Sequence, residues 1–303
     1  MTGIDVHNRN GASRLALIQL VSGALLISFS GVWVKVAAVS PTVSAFYRVF
    51  FGGLFLLGAA LYRRELRWRG GKHLMLGLLC GLFFSLDLLC YHYSIHYVGP
   101  GLGTILPNFQ VFILSAVGIL FLKEKMRWVF LFSVPLAFLG LFLIVGVQWH
   151  RFEPHFRYGL YLGLAAAAFY SAFLLSLRKL QADQSGNSIF YVLLVVSATT
   201  AFFLAIEVQR TGDSFRIPDL GTLFALIALG LFSQFVGWIL ITNALPGLRT
   251  SLSGFILLLQ PALAFVWDVV LFQRATSLVN WMGVIVVLLA IYLGTTGTIS
   301  PRK

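Results

Sequence analysis

The chain has 303 residues, of which 59% are apolar and only 11% charged, with a mean hydropathy of +0.90. Soluble domains carry about 25% charged residues, so a soluble globular protein is excluded. The net charge of +12 comes from Lys and Arg in short connectors between apolar runs, a pattern of membrane topology and not of a nucleic-acid surface.

The first 14 residues are polar and lack a cleavage pattern, so the apolar run after them is expected to remain as a helix. Apolar windows then fall near 15–39, 41–62, 73–97, 99–122, 128–147, 158–177, 188–207, 219–243, 247–271 and 277–297. Each has the length of about 20 residues that a bilayer requires. Pro41, Gly99 with Pro100, and Pro246 with Gly247 punctuate the boundaries. The expectation is an all-α integral membrane protein of ten transmembrane helices. With the N-terminus in the cytoplasm, the outer segments hold only Arg151, Arg157, Arg210, Arg216 and Arg274 of the 22 basic residues. All the others, save Lys35 and Arg48 inside spans, fall on the inner side, so both termini are expected to be cytoplasmic. Cys80 and Cys90 stand ten residues apart in one apolar run, about 15 Å along a helix and too far for a disulfide.

The two halves resemble each other. LDLLCYHYSI (86–95) aligns with SQFVGWILIT (233–242), which sets Asp87 opposite Gln234 and Tyr91 opposite Trp238. FQVFILSAVGILFLKEK (109–125) aligns with LQPALAFVWDVVLFQRA (259–275), which sets Gln110 opposite Gln260 and Glu124 opposite Arg274. Five spans per repeat, an odd number, give the halves opposite orientations, an arrangement typical of secondary transporters. The predicted repeats are 15–147 and 158–297, with tails at 1–14 and 298–303.

Four stretches carry a family resemblance: SPTVSAFYR (40–48), LDLLCYHYSIHYVGPGLGTIL (86–106), FLKEKMRW (121–128) and LLLQPALAFVWDVVLF (257–272). On these the chain resembles the EamA branch of the drug/metabolite transporter superfamily over nearly its whole length. The resemblance implies a ten-helix fold of two inverted five-helix repeats, and it favours export. The chain departs from the family pattern after the ninth span, where the usual acidic position reads Arg274.

Lys35, Arg48 and Asp87 lie within otherwise apolar stretches. A charge at mid-membrane costs roughly 2.5–3.5 kcal/mol, so such residues face a protein interior or a wet cavity. On the predicted map these three and Asn108 lie roughly 6–14 Å below the outer boundary, at 1.5 Å per residue. Asp87 is therefore expected either to bind a cation or proton, or to pair with Lys35 or Arg48. Lys35 could instead snorkel to the interface, and a purely architectural pair is the competing account. Tyr91 on helix 3 and Trp238 on helix 8 could flank an amphipathic solute, or belong to the interfacial aromatic belt. Gln260 before Pro261, and Asn108 and Gln110 after Pro107, suggest broken helices lining a cavity. Gln234 completes the set as the neutral counterpart of Asp87.

His92 and His96 have a metal-compatible spacing but no third ligand, and HExxH is absent, so no metal site is predicted. Asp268 is expected either to join the outer network or to reach water. A phosphate loop and GxSxG are both missing. The reading is a non-ATP secondary transporter of the cell inner membrane that requires no cofactor. It moves a small organic metabolite, amino acid or drug-like solute, with protons open as the coupling ion. An intramembrane enzyme acting on a lipid, or a channel, is the alternative. The expected partners are the small-molecule substrate and the bilayer, with no nucleic acid, in a monomer or homodimer.

Overall fold

The computed structural model describes residues 3–66, 70–124, 128–145, 154–182, 188–273 and 275–296. Arg274, the loop residues Arg67, Arg69, Lys125, Arg127 and Arg151, and the tail residues Arg302 and Lys303 lie outside the described residues. The described chain is helical and contains no strand. The helices are α1 (Gly3–Ser28), α2 (Ser30–Val36), α3 (Pro41–Tyr62), α4 (Gly71–Ile105), α5 (Gln110–Leu120), α6 (Trp128–Val145), α7 (Pro154–Ala182), α8 (Ile189–Thr211), α9 (Leu220–Ala228), α10 (Trp238–Ala244), α11 (Thr250–Ile256), α12 (Leu259–Phe272) and α13 (Leu278–Thr296). A π-helical segment, Leu229–Gly237, joins α9 to α10.

Among the described residues, seven helical segments are long and apolar enough to cross a membrane: Arg14–Val36, Pro41–Tyr62, Gly71–Ser94, His155–Ala182, Ile189–Thr211, Leu220–Gly247 and Thr250–Phe272. Three shorter apolar helices, Leu106–Leu120, Trp128–Ile144 and Leu278–Gly294, fill the remaining predicted windows. Large apolar side chains such as Leu54, Phe132, Phe202 and Ile285 face outward, as the lipid-facing surface of a bundle requires.

The helix boundaries follow local chemistry. Ser40 caps α3, its hydroxyl accepting from the Val43 N–H at 3.3 Å, with Pro41 in the first turn. Asp219 caps α9, accepting from the Thr222 N–H at 2.8 Å and the Thr222 hydroxyl at 2.9 Å. These bonds hold its carboxyl below the usual aspartate range. One predicted boundary moves. The helix does not stop at Gly99–Pro100 but runs on to Ile105, and the break falls at the 3₁₀ turn Leu106–Phe109 around Pro107. A proline removes a single donor from the ladder, which an otherwise unbroken helix tolerates. The matching break in the second half lies at Leu257–Leu258, between α11 and α12. Pro261 thus sits in the first turn of α12, where a missing N–H matters least.

Packing has the pattern of a pseudo-twofold. α4 lies along α7, and its counterpart, the π segment with α10, lies along α1. α3 meets the π segment as α8 meets α4, while α3 with α8, α5 with α11, and α6 with α13 pair across the axis. Glycines set the closest crossings. A Cβ on Gly283 would sit 2.6 Å from the Gly140 carbonyl oxygen, and one on Gly140 2.8 Å from that of Gly283. Side chain–backbone bonds reinforce the seams, with Ser94 donating to Gly159 O at 2.8 Å and Thr200 to Gly81 O at 3.1 Å. Such bonds contribute about 0.6 kcal/mol each in membrane bundles.

The turns that end the helices repeat as well. α3 ends with Arg64 at φ 55°, after which the Glu65 N–H donates to Ala60 O at 2.9 Å. α8 ends with Gly212 at φ 74°, after which the Asp213 N–H donates to Val208 O at 3.1 Å. In each turn a carboxylate follows the left-handed residue and reaches the capping serine of the other helix. Ser188 donates to Glu65, and Ser40 donates to Asp213 at 2.9 Å. α5 ends in the same way. Lys123 has φ 52°, the Glu124 N–H donates to Gly118 O at 2.8 Å, and α12 ends at Gln273 with φ 51°.

Candidate functional site

A cavity of about 570 Å³ opens between the two halves. The first half contributes Ser28, Ser30 and Gly31 at the α1–α2 junction, Ser44 and Arg48 from α3, Phe84, Asp87, Tyr91 and His92 from α4, and Asn108 from the 3₁₀ turn. The second half contributes Tyr170 from α7, Trp238 from α10, and Gln260, Ala264, Phe265, Asp268 and Phe272 from α12. Its volume lies in the range of small-molecule sites, and so does its mainly apolar and aromatic lining with a few polar groups.

The α1–α2 junction is pinned by side chains. Phe29, the residue between the two helices, stacks on Trp267 with ring centroids 4.2 Å apart. The Trp267 indole donates to the Ser28 hydroxyl at 2.7 Å, and the Ser30 hydroxyl donates to that of Ser233 at 2.9 Å. Opposite, an aromatic cluster fixes Trp238. Phe84 and Phe173 stack at 4.5 Å, and both meet the indole edge-on at 5.6 and 4.8 Å. Such pairs contribute about 0.5–1.5 kcal/mol beyond the area they bury, so this wall is rigid.

Arg48 and Asp87 supply the charge. Asp87 is 7% exposed, and that exposure is to the cavity. The two charges interact electrostatically. Among the described residues, however, neither has an ion-pair partner within 4.0 Å, and Arg48 Nε has no hydrogen-bond partner. A guanidinium and a carboxyl group thus face one aromatic-lined space without a direct ion pair. His92 also lines the cavity, while the side chain of His96 lies outside the described residues. No group of three or more metal-ligating side chains occurs among the described residues.

The EamA-like transporter family model matches residues 14–146 and again residues 157–296. The chain belongs to the EamA-like transporter family. A solved crystal structure, described only as that of a protein, superposes with a TM-score of 0.77 at 17% identity, covering 92% of this chain and 98% of the other. A likeness at that identity shows the fold alone. No curated protein matches the sequence.

Within this EamA chain, six of the nine residues singled out from the sequence line the cavity together: Arg48, Asp87, Tyr91, Asn108, Trp238 and Gln260. Three do not. Lys35 pairs with Asp268 at 2.7 Å and not with Asp87, its ammonium 4.2 Å from the centre of the Phe272 ring. Gln234 turns away, donating to the Ser197 hydroxyl at 3.0 Å, because Gly52 leaves a slot for its stem. A Cβ at Gly52 would lie 2.4 Å from the Gln234 side chain. Gln110 is buried at the start of α5, off the cavity wall. Tyr170 was not visible from the sequence, since one tyrosine after an alanine run reads as packing or belt. The junction serines were equally silent.

The Lys35–Asp268 pair is weak by its exposure, with side chains 52% and 28% accessible. Lys35→Ala is expected to cost less than about 1 kcal/mol of stability. Thermal unfolding of the variant in detergent, beside the parent, checks this.

Proposed function

We propose that this EamA chain is a secondary transporter, working by alternating access in the cell inner membrane, that exports a small zwitterionic organic solute such as an amino acid. The carrying observation is the cavity in which Asp87 and Arg48 face aromatic walls without a direct ion pair. A solute ammonium would seat at Asp87 and its carboxylate at Arg48, where a guanidinium can hold it bidentately. The apolar remainder would lie against Tyr91, Tyr170 and Trp238. A fixed pair of opposite charges rejects a solute bearing one charge, since its partner group would remain desolvated and uncompensated.

Ten crossings in two inverted repeats, with both termini cytoplasmic, follow from the basic loops and the odd number of spans per repeat. In that orientation Val34 and Phe272 at the cavity lie near outer helix ends. The cytoplasmic side beneath is filled by fully packed Leu114, Leu177, Leu245 and Phe255. The arrangement supports an outward-open state. Asn108 and Gln260 serve as neutral wall contacts, and no cofactor enters the cycle.

Counterflow in proteoliposomes tests the reading, with radiolabelled zwitterionic amino acids, neutral metabolites and cationic dyes supplied in parallel. Exchange of the zwitterions above the others is expected. Exchange of cationic dyes alone would overturn the zwitterion assignment, and conductance far above carrier turnover would overturn the carrier itself.

A further inference from the structure

The turns at the helix ends form inter-repeat latches, and their distribution is unequal. Glu65 ties the end of α3 to the cap of α8, and Asp213 ties the end of α8 to the cap of α3. That helix pair is therefore fastened at both faces of the bundle. The α5–α11 seam is built differently. Glu124 accepts from the Thr250 N–H at 2.8 Å and from the Ser251 hydroxyl at 2.6 Å, at the first turn of α11. Its side chain lies over Gly118, where any Cβ would come within 2.5 Å of the carboxylate. The symmetry-related turn ends at Gln273 in the same left-handed conformation, but the next residue in the sequence is Arg274. A carboxylate thus follows three of these four turns, and arginine follows the fourth.

We infer that Glu124 is the cytoplasmic gate latch, the positioning residue whose release from Thr250 and Ser251 lets α5 part from α11 and opens the inner route to the cavity. The double-fastened α3–α8 pair stays closed and acts as the fixed frame. The inference rests on the alternating-access reading above. Its chemistry is that of a helix cap with charge: a carboxylate satisfies backbone donors that otherwise lack partners and complements the helix dipole. The inner face of the seam offers a polar surface to be wetted. Ser115, one turn from Gly118 on the same buried face of α5, has a hydroxyl without a hydrogen-bond partner among the described residues, and so does Thr250. Arg178 on α7 lies within electrostatic range of Glu124 and stands ready as its alternative partner.

The test is cysteine accessibility in inside-out vesicles without substrate, so it is independent of which solute is carried. Cys80 and Cys90 are replaced by Ala, and single probes are placed by Ser115→Cys in the α5–α11 seam and by Ser197→Cys in the α3–α8 seam. Glu124→Ala is expected to raise maleimide labelling of the first probe roughly five- to tenfold, the factor for loss of a helix cap, and to leave the second unchanged. Glu65→Ala is expected to change neither. Glu124→Gln, which keeps one acceptor for the Thr250 N–H, should give a smaller rise at the same probe, and it carries the test if Glu124→Ala does not fold. Equal rises at both probes would mean general loosening and overturn the inference. No rise with either Glu124 variant, or the same rise with Glu65→Ala, would overturn it too. Failed counterflow with intact selective labelling would sink only the substrate reading.

Discussion

Asp87→Asn is expected to lower zwitterion exchange by roughly 10- to 100-fold, the factor that corresponds to about 1.5–3 kcal/mol for a hydrogen bond to a charged group. The substitution is isosteric, and Asp87 accepts no side-chain or backbone hydrogen bond among the described residues. Little packing is therefore lost with the charge. The deficit should appear as weaker half-saturation in counterflow before it appears as less folded protein, with thermal unfolding as the control. If the carboxylate only locked helices together, the order would reverse, and unfolding temperature would fall while the half-saturation of surviving protein stayed put. Flux measured with and without a pH gradient separates a second role. A carboxylate that moves a proton makes wild-type exchange respond to the gradient and the Asn variant indifferent to it. Equal responses from the two proteins would exclude proton coupling through Asp87.

Gly283→Leu should be the most destabilising single change away from the cavity. The side chain would start 2.6 Å from the Gly140 carbonyl oxygen and 2.7 Å from the Ile144 N, both backbone atoms that cannot swing aside. Overpacking costs about 1–3 kcal/mol even where side chains can adjust, so a loss of at least about 3 kcal/mol is expected here. In a chain of 303 residues that lowers the unfolding midpoint by about 5 °C or more. Gly58→Leu is the control, because nothing lies within 4 Å of a Cβ there. It should leave the midpoint unchanged or raise it slightly, since glycine weakens a helix interior. Equal midpoints for Gly283→Leu and Gly58→Leu would show that the α6–α13 crossing can widen freely.

Much of this architecture is legible in the sequence because membrane helices advertise themselves by length and apolarity. The helix positions and the EamA family follow from runs and motifs that survive without tertiary information. Asp87 and Arg48 are legible for a related reason, since an uncompensated charge in an apolar stretch needs a wet or paired environment. Partner identity is not legible. Lys35 and Asp268 are 233 residues apart, and depth alone places Lys35 equally well beside Asp87. The direction in which a buried amide points is equally hidden. Gln234 and Gln260 both read as cavity lining, yet a missing Cβ at Gly52 draws Gln234 into a slot between α3 and α8. The left-handed turns at Arg64, Lys123 and Gln273 leave no compositional mark, because none of them uses glycine. The break at Phe29 is silent for the same reason.

The unmatched turn at Gln273 bears on kinetics. A carrier fastened more firmly at one mouth than at the other spends unequal time facing the two compartments. Apparent affinity is the intrinsic affinity scaled by the fraction of molecules whose mouth is open on that side. The same pocket would therefore seem tight to solute arriving from outside and loose to solute arriving from the cytoplasm. On the proposed alternating-access reading, and without a coupling ion, a carrier of this build cannot move solute uphill. It would saturate at low external concentration and at high internal concentration, and so work as an overflow valve for a metabolite that accumulates within the cell.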